Sequence, residues 1–252
     1  MSTHDEVEHF VRAKITSNGI INPNFVEVPT NFSGIFSKGY YLTIQSTFDL
    51  AERGKDTISY THMDLVNSSI FKTDADTLPI NYTPVKFHSA FAQNPFFGYL
   101  ASGIGMALAK LLNLNAIWLL WLGRIFNALL YASIVSIAIK KTPILKIPLF
   151  VVACIPAALS QAASVSIDPL INGLGILSIA YFLMLYKSPN KSLDYKPIIK
   201  FSVIVLLLGL CKVTYFSFIF LLLFIPIDNL KKKEYFYYSF IIILLFIVLV
   251  LL

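Results

Sequence analysis

Apolar and polar positions divide the chain into two unlike parts. From residue 116 onward, long apolar runs alternate with short basic clusters. Before that point the apolar runs are shorter and charges interrupt them. A helix needs about 20 mostly apolar residues to cross roughly 30 Å of hydrocarbon. Residues 116–139 satisfy this and end at Lys140 and Lys141. Residues 147–166 satisfy it less cleanly, with Pro148 and Pro156 inside and Gln161, Ser164 and Ser166 near the end. Residues 169–186 end at Lys187, and residues 236–252 begin a further span inside which the chain stops.

The apolar stretch 201–229, between Lys200 and Lys231–Lys233, sets the expected topology. As one helix it would be about 43 Å long, more than a bilayer core requires. It would also carry Lys231–Lys233 to the side opposite Lys200. A hairpin of two short helices turning near Lys212–Tyr215 keeps every lysine cluster on one side. The positive-inside rule then holds for loops 140–146, 187–200 and 230–234.

This reading predicts a mainly α fold: a polytopic transmembrane helical bundle in residues 116–252, with about six helices, the last incomplete. Residues 1–115 become an extracytoplasmic loop of helical and mixed structure carrying amphipathic, interfacial helices. The opening MSTHDEVEHFVRAK is too polar for a signal peptide or an anchor. A long exported segment normally follows a transmembrane helix. The expectation is therefore a fragment of a longer multi-pass protein, lacking its first helix and its C-terminal part; the alternative is a complete small protein with a translocated N-terminal tail.

Composition agrees with a membrane protein, rules out a disordered chain and argues against an ordinary soluble enzyme. The chain is 56% hydrophobic and 13% charged, with mean hydropathy +0.71, whereas soluble domains carry roughly 25% charged residues. Two cysteines, Cys154 and Cys211, rule out a disulfide framework and a thiolate zinc site. Residues 1–114 hold eight basic and ten acidic side chains, and residues 115–252 hold twelve and four, giving the net charge of +6. The basic groups sit between apolar runs, so they mark loops at a membrane and give no nucleic-acid signal.

Within the exported segment, Thr3 and Glu6 have capping-box spacing, and Asn18-Gly19 can end the helix they begin. Asp5, Glu8, His9 and Arg12 share one face of that helix; Val7, Phe10 and Val11 take the opposite one. The ionisable face is either a solvated surface or a convergent site able to deprotonate a hydroxyl and bind phosphate. Residues 20–95 are mixed, and 39–48 could be strand or loop. Residues 95–112 read as a helix lying at the membrane surface. Gly103-Ile-Gly105 within it lacks the strand and the third glycine of a phosphate loop and reads as close helix packing.

Four segments carry a resemblance. HDEVEHFVRA, with Asp5, Glu6, His9 and Arg12, is the most specific. The others are Asn94-Pro95-Phe96-Phe97-Gly98-Tyr99, Leu122-Gly123-Arg124-Ile125-Phe126-Asn127 and Ser164-Val165-Ser166-Ile167-Asp168-Pro169. Together, over most of residues 4–230, they resemble the bacterial multi-pass family catalogued as domain of unknown function 2142. That family in turn resembles the class C (GT-C) glycosyltransferases.

The resemblance implies a polyprenyl-phosphate-linked sugar donor, a glycan acceptor, and an active site in a large first extracytoplasmic loop that opens with an acidic motif. Asp5 would be the base, with Glu6 as its rival. His9 and Arg12 would orient groups or bind phosphate. Arg124, two turns into a span, would bind the donor phosphate or pair with Asp168 or a backbone carbonyl. Asp168 would join the site or cap its helix. Lys212, at the hairpin turn, would reach the phosphate or snorkel to the interface. A divalent metal is a candidate cofactor for the leaving phosphate. The competing readings are a transporter or flippase component for lipid-linked sugars, which predicts repeated halves, and a non-functional gene remnant.

Overall fold

The computed structural model describes residues 6–21, 80, 91 and 94–231. Asp5, the capping candidate Thr3, the stretch 39–48 and the expected final span 236–252 lie outside the described residues. The chain forms two compact units. The first comprises residues 1–129 and 160–169, and the second residues 130–159 and 170–252. Among the described residues the structure is helical and contains no β-strand, only one isolated bridge between Leu193 and Leu230.

The first unit contains α1 (Glu6–Ser17), a 3₁₀ turn (Phe96–Tyr99), α2 (Leu100–Leu111) and the start of α3 (Ile117–Lys141). α1 stops where the sequence predicts. Gly19 adopts φ +78°, Gly19 N–H bonds Thr16 O at 2.9 Å and Ile20 N–H bonds Ile15 O at 3.3 Å. This pair of bonds is a Schellman motif, which satisfies carbonyls the helix end would otherwise leave open. α2 ends the same way around Asn113, φ 49°, with Asn113 N–H on Lys110 O and Leu114 N–H on Ala109 O.

α1 and α2 pack closely because α2 presents glycine on two sides. A β-carbon on Gly103 would lie 3.3 Å from Thr16 Cγ2 and 3.4 Å from Ser17 N in α1. One on Gly105 would meet the Leu122 carbonyl group of α3 well inside contact distance. The glycine pair therefore acts in helix packing, as its sequence context suggests. Leu100, Ile104 and Leu111 of α2 remain exposed along one stripe, which is the expected pattern for a helix lying in an interface.

α3 and α6 (Asp168–Tyr186) are long and apolar enough to cross a membrane. Only 28% of the most apolar window of α3 is buried within the protein, whereas the core helix of a soluble protein would be mostly covered. Between them lie α4 (Lys146–Ala153) and α5 (Pro156–Ala162). Sequence suggested one interrupted span here. The break falls at Cys154–Ile155 because Pro156 lacks an N–H and disfavours helical geometry in the residue before it. Pro156 then occupies the first position of α5, where a missing N–H costs nothing. The Tyr131 hydroxyl donates to Ala153 O at 2.9 Å and so satisfies one carbonyl at the break.

The predicted hairpin is present in the second unit. α7 (Tyr195–Cys211) ends at Lys212, and a 3₁₀ segment (Val213–Phe224) returns along it. The Phe216 ring fills the space above Gly209. Buried Phe216, Ile219, Leu222 and Ile225 recur every third residue, matching the three residues per turn of a 3₁₀ helix. The geometry also explains why arms of unequal residue count close. The 17 residues of α7 rise about 26 Å, and the 12 residues of the 3₁₀ arm rise about 24 Å. The ends meet through Leu193 N–H on Asn229 O at 2.9 Å and Lys231 N–H on Leu193 O at 3.0 Å.

Candidate functional site

α1 brings Glu6, His9 and Arg12 of the ionisable motif into the first unit, and all three are buried. Glu6 is 3%, His9 7% and Arg12 2% exposed. Of the face predicted from the sequence, His9 and Arg12 are therefore not solvated. Each side chain is engaged by groups from outside its own helix.

Glu6 is held on three sides. Arg124 of α3 donates from Nε to Glu6 Oε1 at 2.8 Å and from a terminal nitrogen to Oε2 at 2.6 Å. This is the bidentate fork that a guanidinium makes with a carboxylate. Val165 N–H donates to Oε1 at 2.8 Å. The Trp121 ring lies 5.7 Å from the Arg124 guanidinium. Arg124 thus pairs with Glu6, and Glu6 joins three segments distant in sequence: α1, the start of α3 and the loop before α6.

His9 meets the Tyr99 hydroxyl through Nδ1 at 2.6 Å and stacks on Phe91 at 4.1 Å with 15° between the rings. Asn94 Nδ2 donates to the same hydroxyl at 2.9 Å. The Tyr99 proton can then be given to His9 Nδ1, an arrangement that suits the neutral imidazole protonated on Nε2. Arg12 donates from Nε to Asn94 O at 3.0 Å and from a terminal nitrogen to Ile21 O at 2.8 Å, with its guanidinium 5.9 Å from the Tyr99 ring. Burial lowers the Arg12 pKa, with Tyr99 opposing. These bonds use Arg12 to tie the end of α1 to residue 94.

Two lysines flank the motif. Lys110 Nζ donates to Ser17 Oγ and Asn18 Oδ1, both at 2.5 Å. Burial pushes the Lys110 pKa down to about 8. Burial and the nearby Lys110 charge push Lys14 down to about 8 as well.

The loop before α6 is organised by Asn127. Its Nδ2 donates to Ser164 O at 2.8 Å and to Ser166 O at 3.1 Å, and the Ser164 and Ser166 hydroxyls lie 2.9 Å apart. Asp168 is the first residue of α6, and its N–H bonds Ser166 Oγ at 3.3 Å. Ser166 Oγ thus satisfies the first N–H of α6. Among the described residues the half-buried Asp168 carboxylate has no hydrogen-bond or ion-pair partner.

Lys212 belongs to the second unit. It is exposed at the hairpin turn, 6.0 Å from the Tyr215 ring. Asp5, the expected base, lies outside the described residues. Among the described residues no group of three or more His, Cys, Asp or Glu side chains is gathered as a metal site would require.

Sequence reasoning named the charges and missed the groups that hold them, Tyr99, Asn94 and the Val165 N–H, and Asn127, which orders the loop carrying Val165. All four lie in the segments that carry the resemblance, Asn94–Tyr99, Leu122–Asn127 and Ser164–Pro169. The signal was present, but which neutral residue meets which charge depends on contacts up to 159 positions apart.

Comparison with protein families returned a match over residues 1–252 to the family described as predicted membrane protein (DUF2142). Comparisons with curated proteins and with solved structures returned no match.

Proposed function

The chain belongs to the DUF2142 family of predicted membrane proteins, and from that premise we propose that it is a glycosyltransferase-like protein of cell-envelope polysaccharide assembly. Its donor would be a sugar carried on a polyprenyl phosphate, and its acceptor a hydroxyl of a glycan. The observation that carries this reading is the anchoring of Glu6 to Arg124 and to Val165 N–H. It ties an acidic motif to the start of one long apolar helix and to the loop that opens the next. A lipid-linked donor reaches such a position sideways from the bilayer, with its phosphate at headgroup level.

In the reaction, the acceptor oxygen attacks the anomeric carbon. Its proton passes to Asp5. The bond between the anomeric carbon and the phosphate oxygen breaks, and polyprenyl phosphate leaves with the bonding electrons. Glu6 then serves as a positioning group, because its two oxygens are already committed to Arg124 and Val165. His9 and Arg12 hold the motif through Tyr99 and Asn94. Asp168, whose carboxylate has no partner among the described residues, suits an acceptor hydroxyl or a divalent cation on the leaving phosphate. The extracytoplasmic placement of residues 1–115 and the multi-pass bundle of residues 116–252 are parts of the same proposal.

The test is transfer of labelled sugar from a polyprenyl-phosphate donor in vesicles containing the chain. Asp5→Asn should lower transfer by about 10²–10⁴, the usual contribution of a general base. Full activity in the Asp5→Asn protein would remove Asp5 as the base.

A further inference from the structure

Closure of the hairpin has a consequence for charge. Five exposed lysines lie at its base: Lys187 at the end of α6, Lys191 in the connecting loop, Lys196 and Lys200 in the first turns of α7, and Lys231 after the return arm. They come from four segments, which hydrogen bonds draw together. Lys191 N–H bonds Asp228 O at 2.8 Å, Leu193 N–H bonds Asn229 O, and Lys231 N–H bonds Leu193 O. The Asn229 side chain donates to Tyr186 O at 3.2 Å, which attaches the same base to the end of α6. Only two acidic groups lie among these segments, Asp194 and Asp228, and Asp194 accepts from Tyr195 N–H at 2.8 Å.

We infer that this base is a binding surface for anionic phospholipid headgroups. Three observations favour lipid as the occupant. The net charge of the surface is positive. Tyr186 and Tyr195 are exposed beside the lysines, as amphipathic rings are at headgroup level. The apolar side chains Ile199 and Val203 of α7, and Phe224 of the return arm, are exposed on the arms that rise from the same base. Lysines beside a membrane-embedded helix attract anionic headgroups, and the closed base places several within one surface. The inference rests on the membrane assignment alone. A chain without transferase activity would still show it.

The full chain, purified in detergent, would be mixed with equal amounts of phosphatidylglycerol and phosphatidylcholine, and bound lipid would be counted by native mass spectrometry. The wild type should retain phosphatidylglycerol preferentially. Lys191→Gln, Lys196→Gln and Lys231→Gln combined should reduce that preference by roughly fivefold per lysine, and the corresponding arginine variant should keep it. The backbone bonds that close the base do not use these side chains, so the glutamine variant should fold, with the wild-type thermal midpoint in the absence of lipid. Equal retention of the two lipids by the wild type would overturn the inference. So would an undiminished preference in the glutamine variant.

Discussion

Glu6 carries a negative charge to a place where its side chain is 4% exposed, and Arg124 brings the compensating charge at 16%. Removing one partner of such a pair leaves a buried charge uncompensated, a loss of about 3–5 kcal/mol. Arg124→Gln should therefore destabilise the first unit by about 3 kcal/mol, near the lower bound because Arg124 is partly open. Arg124→Lys should recover only part of this, since an ammonium cannot make the bidentate fork. Denaturation in mixed detergent micelles would measure both. The lysines permit a prediction about pH. Lys14 and Lys110 have folded pKa values near 8, below the ordinary 10.5. Between those values the unfolded chain binds more protons than the folded one, so stability rises with pH. The burial penalty is fully present below about pH 8 and is gone above about 10.5. Stability measured from pH 7 to 10.5 should climb, and Lys14→Gln combined with Lys110→Gln should flatten the climb. An equal climb in that variant would assign it to other groups.

At the scale of elements, small residues determine how closely helices approach. Gly105 faces the backbone of α3 at Leu122. Backbone cannot move aside as a flexible side chain can, so Gly105→Ala must separate α2 from α3. A loss of about 1–3 kcal/mol is expected, the usual cost of overpacking. Gly175 has open space around it, and Gly175→Ala should be neutral or slightly stabilising in the same denaturation assay. The α4–α5 break and the hairpin follow from local chemistry that is readable in advance. Pro156 breaks the helix, and excess apolar length between Lys200 and Lys231 calls for a turn. That the return arm is 3₁₀ was not readable, because runs beyond 3–4 residues are uncommon and a short apolar run carries no sign of its pitch.

For the molecule as a whole, membrane insertion is the organising constraint. Large apolar side chains are exposed among the described residues, including Leu129 and Ile137 of α3, Phe150 and Val152 of α4, and Phe220 of the return arm. Water would penalise that surface and lipid does not. The proposed topology makes a direct prediction. With Cys154 and Cys211 replaced, Ser46→Cys should react with an impermeant maleimide on intact cells, and Ser192→Cys should not. The opposite labelling would place the acidic motif in the cytoplasm and rule out an extracytoplasmic transfer site.

What the sequence determined by itself was of two kinds. Apolar length and lysine clusters located α3 and α6, because membrane crossing and positive charge are properties of composition over a window. Proline, glycine and asparagine marked the α4–α5 break and the ends of α1 and α2, because each acts on its own backbone. The tertiary structure alone decided what the ionisable residues do. The opening helix pattern offered Asp5, Glu8, His9 and Arg12 on one face, with Glu6 beside them, as equally chargeable groups. Folding placed Arg124 and Val165 N–H on Glu6, and Tyr99 near His9 and Arg12, while Asp168 stayed open. Those assignments depend on chain segments that meet only when α1, α2 and α3 pack, and a charge is consumed or left available according to what packing puts beside it.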